Sequence, residues 1–288
     1  MHRGGVAAVD PLLHDDLRVE GAALRAGVDV RLAHSAADIR AVSELLAAVW
    51  GTEPTASPAP RNVLAAIADT GGYIAGAWNA DGLVGASFGL TYLDSDGPCL
   101  RSQVTGVLQP GKGCGEALKR HQWQWANEQG MRRITWTFDP LVRRNARFNL
   151  ARLGVRLVRF VPDFYGSLDD GLNGSDETDR CVVSWTVGEP TLPRRLVNAD
   201  ELLHDGHSLL LAPGFEGRPV MTDARLTKVL VATPEDIVGL RRTDPSLALS
   251  WRQMLRDAFS RVTEAGLIAD LVTIDGYYRF IDPAEEQT

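Results

Sequence analysis

The stretch Val104-Thr105-Gly106-Val107-Leu108-Gln109-Pro110-Gly111-Lys112-Gly113-Cys114-Gly115-Glu116-Ala117-Leu118-Lys119 decides how this 288-residue chain is read. Its opening residues have the apolar and β-branched character of a strand, Gly111, Gly113 and Gly115 alternate through a loop, and a helical pattern follows at once. A strand feeding a glycine loop and then a helix makes an anion cradle. Glycines let the backbone approach a ligand closely, and the first amides of a helix lack internal partners. Those amides and the positive end of the helix dipole suit a diphosphate. Two better-known phosphate loops do not fit. Lys112 is followed by Gly113 rather than Ser or Thr, and Glu116 stands where a dinucleotide fingerprint needs its third glycine.

Upstream, residues 28–32 alternate like a short strand, and Ser35 caps a predicted helix carrying Ile39, Val42, Leu45, Leu46, Val49 and Trp50 at helical spacing. A second helix is expected near 63–69. Residues 72–78 and 83–93 then read as a hairpin turned at Asn79-Ala80-Asp81-Gly82, with 101–108 as a third strand. Downstream of the loop, a helix over 115–128 ends at Gly130. A strand over 134–138, a helix opened by Asp139-Pro140 and ended by Gly154, and strands over 155–161 and 181–187 complete the pattern. The order predicts an α/β (α+β) fold, a mixed, mostly antiparallel sheet flanked by helices. Residues 1–27 read as an irregular N-terminal arm, 28–190 as the main domain, and 191–288 as a smaller C-terminal α/β extension. That extension holds a strand over 227–231, a helix over 245–265, and a closing hairpin turned at Asp275-Gly276.

At 44% hydrophobic and 23% charged, the chain has the composition of an ordinary globular protein. Its net charge of -7 argues against nucleic acid as the main partner, because phosphate binding draws on clustered Lys and Arg. No apolar run is long enough for a membrane helix and no apolar segment follows the start, so a cytoplasmic location is expected. Cys99, Cys114 and Cys181 are odd in number and far apart, neither a disulfide framework nor a zinc spacing, and no metal is expected. Among 30 basic residues the lysines are Lys112, Lys119 and Lys228 alone; this bias reads first as a coding background.

Taken with Asn145-Ala146-Arg147-Phe148-Asn149-Leu150-Ala151-Arg152-Leu153-Gly154-Val155, the pattern of residues 28–190 resembles the GNAT superfamily of acyl-CoA-dependent N-acyltransferases. Gly113-x-Gly115 matches the end of that family's Arg/Gln-x-x-Gly-x-Gly/Ala pyrophosphate motif, and the quoted stretch resembles its later Asn-Ala…Leu-Gly-Phe-like helix. Trp136-Thr137-Phe138-Asp139-Pro140-Leu141, Asp163-Phe164-Tyr165-Gly166 and Trp251-Arg252 are similar to an uncharacterised bacterial subgroup of predicted acetyltransferases with a C-terminal extension. Two positions depart from the pattern. Pro110 stands at the motif's leading Arg/Gln, with Gln109 one place early. Leu150 stands where many members carry a Tyr that protonates the departing thiolate.

The resemblance implies transfer of an acyl group from acyl-CoA, by default acetyl-CoA, to the amine of a small molecule by direct attack in a ternary complex. It implies that the strand over 103–108 splays from its neighbour and pairs with the pantetheine arm through Thr105 and Val107. Gly111, Lys112, Gly113, Cys114, Gly115 and Glu116 would hold the pyrophosphate, Asn145 would lie along the arm, and the Val107 amide would stabilise the oxyanion. Ser102 and Gln103 are the substrate-lining candidates. For proton transfer the candidates are Asp163, Tyr165 and Asp139, although a helix cap is the ordinary role for an Asp before Pro. Asp169 and Asp170 read as a turn. A helix N-terminus predicts a lowered pKa for Cys114. Arg132, Arg133, Arg143, Arg144 and Arg147 are candidates for the 3′-phosphate. The extension is expected to cover the acceptor cleft or to form a homodimer contact. Two rival readings are a catalytically altered GNAT-like CoA-binding protein and an acyl-CoA hydrolase or decarboxylase on the same scaffold.

Overall fold

The structure, a computed structural model, describes residues 19–53, 57–166, 176–188 and 193–285. The fold is mixed α/β with mostly antiparallel strands. It falls into two compact units, one within residues 1–134 and 187–190, the other within 135–186 and 191–288.

The first unit runs α1 (Val19–Ala26), β1 (Asp29–Leu32), α2 (Ala36–Trp50), α3 (Arg61–Asp69), β2 (Tyr73–Asn79), β3 (Gly82–Asp94), β4 (Gly97–Val107) and α4 (Cys114–Glu128). Its strands pair consecutively and antiparallel, with Leu32 opposite Ala75, Ile74 opposite Phe88, and Ser87 opposite Thr105. Helix α2 begins where Ser35 Oγ accepts the Asp38 N–H at 3.0 Å and stops at Gly51, whose φ is +62°. It buries Ile39, Val42, Leu45 and Leu46 against Ile74, Ala86 and Phe88. Gly106 makes that contact fit: a Cβ there would stand 2.9 Å from Leu46 and Trp50. On the opposite face, Cys114 and Leu118 of α4 pack with Ala77, Val84 and Val107. Residues 19–26, expected to be irregular, form α1 instead; its Ala26 lies 3.4 Å from where a Cβ on Gly113 would be.

The second unit takes in most of β5 (Arg133–Phe138), then the one-turn α5 (Arg143–Ala146), a π-helical turn (Arg147–Arg152), and the antiparallel pair β6 (Arg156–Val161) and β7 (Arg180–Thr186). The helix expected from Asp139 starts only at Arg143, because the Asp139 carboxylate accepts the Leu141 N–H at 3.0 Å and closes a turn. Next come α6 (Ala199–His204), β8 (Ser208–Pro213), β9 (Pro219–Met221), β10 (Val229–Ala232), α7 (Ile237–Thr243), α8 (Pro245–Glu264), β11 (Ile268–Val272) and β12 (Tyr277–Ile281). The five strands lie in the order β11-β12-β10-β8-β9, with β10 and β8 parallel. Asp244 caps α8 by accepting the Leu247 N–H, Pro245 occupies its first turn, and Trp251, Leu255, Phe259 and Val262 are buried. Phe259 meets Phe160, Tyr278 and Phe280 edge-on, so residues before and after Pro190 share one core. Arg194, near the start of the predicted extension, donates its N–H to Ala151 O at 2.8 Å and pairs with Asp270. Among the described residues, no helix is long and apolar enough to cross a membrane.

Candidate functional site

Strand β4 carries a bulge. Phe88 faces Val104 and Gly89 faces Ser102, so the exposed Gln103 between them is an extra residue. Beyond the bulge, the Leu108 N–H donates to Val84 O at 3.0 Å and brackets Gly85 and Val107 as a non-hydrogen-bonded pair. Val107, and Thr105 two residues earlier, therefore turn their amide and carbonyl groups away from β3. Residues 108–113 form an exposed loop in which Gly111 and Gly113 have φ of +88° and +82°, conformations that favour glycine. Gly113 is the N-cap of α4 and has no side chain to offer, whereas α2, α7 and α8 are capped by Ser35, Asp236 and Asp244. The first amide bonded within the turn is that of Ala117, to Gly113 O at 3.0 Å. A Cβ on Gly115 would meet nothing within 4 Å, so packing does not account for this glycine. The predicted cofactor-binding residues from Thr105 to Glu116 thus follow one another along strand, loop and helix start.

Two of those residues turn their side chains inward. Cys114 Sγ lies 2.7 Å from where a Cβ on Gly85 would stand, and burial pushes its thiol up to about 11. The lowered value expected at a helix N-terminus is overturned, because desolvation outweighs the dipole. The Glu116 carboxylate faces Arg120 at 3.6 Å and Arg25 at 3.8 Å, an acid placed well in the first turn of a helix.

Beneath the bulge lies a polar cluster. Lys119 Nζ donates to Ser102 Oγ at 2.7 Å and to Gln122 Oε1 at 3.2 Å. Gln122 Nε2 reaches Ser87 Oγ at 3.5 Å, and Ser87 Oγ lies 2.8 Å from Thr105 Oγ1. Ser102 is 3% exposed and turns toward Lys119, while Gln103 faces outward. Burial, with the positive charge of Arg101, lowers the Lys119 amine to about 7. Sequence reasoning passed over Lys119. The available signal was its rarity: where nearly every cation is arginine, a lysine in a helix facing a sheet marks a place that needs a cation able to lose its proton.

In the second unit the candidates divide. Asp139 accepts both arms of Arg252, at 3.0 and 2.9 Å, and Arg241 Nη2 at 2.6 Å. Asp176 shares both arginines, at 2.8 Å from Arg252 Nη2 and 3.0 Å from Arg241 Nε, and Asp179 pairs with Arg256. Burial by itself would raise the Asp139 pKa, but the two guanidiniums outweigh it and hold it at about 2. Asp139 is therefore a fixed anion in an ion-pair network and does not accept protons at neutral pH.

Asp163, at φ +43°, braces a turn: its Oδ1 accepts from the Thr178 N–H and hydroxyl, and its N–H donates to Asp179 Oδ1. Tyr165 is 40% exposed, with its hydroxyl 3.0 Å from Thr137 Oγ1. Asn145 is half-buried in α5, where its N–H donates to Val142 O. Leu150 is fully buried in the π-helical turn, next to Asn149, which accepts the Trp136 indole N–H at 3.1 Å. Of the arginines expected at a phosphate, Arg133 pairs with Asp94 and Asp96, and Arg143 donates to Thr233 O at 2.7 Å. Asp169 and Asp170 lie outside the described residues. No group of three His, Cys, Asp or Glu among the described residues is arranged to hold a metal ion.

No protein-family model matches the chain, and no curated protein matches its sequence. Solved structures match part of it. The ribosomal-protein-S5-alanine acetyltransferase of Vibrio fischeri is 15% identical, with a TM-score of 0.44 over 57% of this chain and 96% of that one. An acetyltransferase of the GNAT family from Streptococcus pneumoniae is 12% identical, with a TM-score of 0.41 over 56% and 99%. An N-acetyltransferase from Staphylococcus aureus Mu50 is 9% identical, with a TM-score of 0.43 over 55% and 97%. Over somewhat more than half its length, then, the chain is similar to solved acetyltransferases, a GNAT-family member among them.

Proposed function

We propose that this chain is an acyl-CoA-dependent N-acyltransferase that moves an acyl group, by default acetyl, to the amine of a small molecule by direct attack. One observation carries the reading: a bulged strand with outward-turned backbone groups runs into an exposed glycine loop and then into a fifteen-residue helix with no side-chain cap. Each part fits a different portion of an acyl-CoA co-substrate. The amides of residues 111–116, with exposed Lys112 beside them, suit the diphosphate. The open space at Gly115 leaves the main chain approachable. Thr105 and Val107 present the N–H and C=O groups that an extended arm needs to pair like a further strand.

The register also bears on where the reaction takes place. Val107 stands one residue before the loop, whereas two amide linkages separate the diphosphate of CoA from its sulfur. The reacting carbonyl then falls toward the bulge at Gln103. A main-chain amide at the bulge is better placed to meet the oxyanion than that of Val107, the donor expected from the sequence. Such a donor contributes about 3 kcal/mol to the rate. Holding amine and thioester side by side supplies much of the remainder, so no covalent enzyme intermediate is required.

Calorimetric titration of the full chain with acetyl-CoA, followed by thiol release against an amine library, tests the reading. Saturable binding and amine-dependent release are the expected results. Release without amine would establish a hydrolase instead. Binding without amine-dependent release would establish a non-catalytic CoA-binding protein, and absence of binding would reject the cradle altogether.

A further inference from the structure

The buried amine of Lys119 has no part in the reading above. It lies under β4, against the residue that precedes the bulge, in a run of hydroxyl and amide groups that reaches the half-buried Thr105. We propose that Ser102 and Lys119 form the proton route of the acyl transfer: Lys119 receives, through the Ser102 hydroxyl, the proton that the attacking ammonium must lose. The inference rests on the acyltransferase reading and adds a proton-transfer pair to it.

The atoms balance. The ammonium proton passes to Ser102 Oγ as the hydroxyl proton passes to the lone pair on Nζ, across the 2.7 Å between them. The nitrogen pair set free forms the C–N bond to the thioester carbon. The C–S bond breaks, its electron pair leaves on sulfur, and the second N–H proton ends there as the thiol. Lys119 later returns its proton to solvent, leaving one amide, one thiol and one proton. Gln122 Oε1 and Ser102 Oγ each accept from Nζ, so the amine is hydrogen-bonded in either protonation state.

The charges around the pair favour a neutral amine near pH 7. Arg101 on β4 opposes a proton on Lys119, and burial acts in the same direction. On α4 itself Glu116 is engaged by Arg120 and Arg25, and His121 bonds to the Tyr73 hydroxyl of β2. Ser87 of β3 brings a hydroxyl and no charge. An arginine at position 119 would stay protonated and offer no lone pair.

The experiment uses the full chain with 13C at the lysine Cε, where three lysines give three assignable signals. One signal, absent from Lys119→Met, is expected to titrate with a midpoint of about 7. In amine-dependent thiol release, kcat of the wild-type protein is expected to fall on an acidic limb with the same midpoint. Lys119→Met and Ser102→Ala should keep the wild-type Kd for acetyl-CoA while losing about 100-fold in kcat, and Lys119→Met should lose the limb. Lys119→Gln serves as a second probe where Lys119→Met fails to fold. A Lys119 signal titrating near the ordinary value, or a folded variant with rates within about twofold of wild type and an unmoved limb, would overturn the proton route. Wild-type protein that releases no thiol in response to any amine would reject the acyltransferase reading and the route with it. Amine-dependent release with an unmoved limb rejects the route alone.

Discussion

Each unit buries a cation on a helix, and the two are handled in opposite ways. Arg252 on α8 is fully buried against the carboxylates of Asp139 and Asp176, with Asp179 3.9 Å away. Lys119 on α4 is 4% exposed, and its partners include the hydroxyl of Ser102 and the amide of Gln122. Burial favours loss of the proton in both. At Arg252 the two carboxylates reverse that tendency and its pKa rises, whereas at Lys119 it prevails. Guanidinium in a fork of carboxylates is a fixed charge suited to fastening Asp139 and Asp176 to α8. A primary amine among hydroxyl and amide groups is suited to changing its charge.

The largest expected effect comes from breaking the fastening. Arg252→Met leaves Asp139 and Asp176 buried with Arg241 as their remaining shared cation, and removing one partner of a buried ion pair costs about 3–5 kcal/mol. Denaturant unfolding followed by the fluorescence of Trp136 and Trp185, both in the second unit, measures it. Lys119→Met removes an amine that is hydrogen-bonded to Ser102 and Gln122 and opposed by Arg101, and its cost should stay within about 1–3 kcal/mol. Equal losses in the two variants would erase the contrast.

The pH dependence of stability should show two separate windows in which stability rises with pH, an acidic one set by Asp139 and an alkaline one set by Lys119. Asp139 is held at about 2 against an ordinary 3.8, so its contribution is present above 3.8 and is lost as pH falls from there toward 2. The loss is about 2 kcal/mol at most and should shrink in Arg252→Met. Lys119 is lowered to about 7 from 10.5, so between those values the unfolded chain binds more protons than the folded one. Stability of the first unit should therefore rise with pH across that window and stay flat there in Lys119→Met. Thermal unfolding at stepped pH reads both slopes.

The contrast also shows what a sequence discloses. Helix α2 was legible because Ser35 and the period of Ile39, Val42, Leu45 and Leu46 agree locally. The loop from Leu108 to Gly113 was legible because its glycines serve the backbone and require no distant partner. Strand β9, at three residues, is too short to establish a period, and β8 pairs with β10 across a long stretch of intervening chain. Asp139 had the local signature of a helix cap, and the residues that fix its real role, Arg241 and Arg252, lie over a hundred positions downstream. Lys119 sits on a helix whose apolar face was plain, yet its importance comes from Ser102 across the sheet and from burial, and neither is a property of neighbouring residues. Local signals revealed the frame and the exposed glycine loop; the charged and titrating groups required the tertiary structure.

The smallest expected effects lie at the loop, and there they separate backbone from charge. A Cβ at Gly115 meets nothing within 4 Å, so Gly115→Val should leave thermal unfolding close to wild type. Its branched side chain would nevertheless occupy the approach to the helix amides, and the Kd for acetyl-CoA is expected to rise at least about tenfold, close to 1.4 kcal/mol. Lys112 is exposed, and the attraction of an exposed charge is weakened by water and salt. Lys112→Ala should therefore weaken binding only by about two- to fivefold, a difference that closes at high ionic strength while the Gly115→Val defect persists. If Lys112→Ala proved the more damaging, the diphosphate would be held by a side chain, and the glycines of the loop would be left as a turn with no ligand to serve.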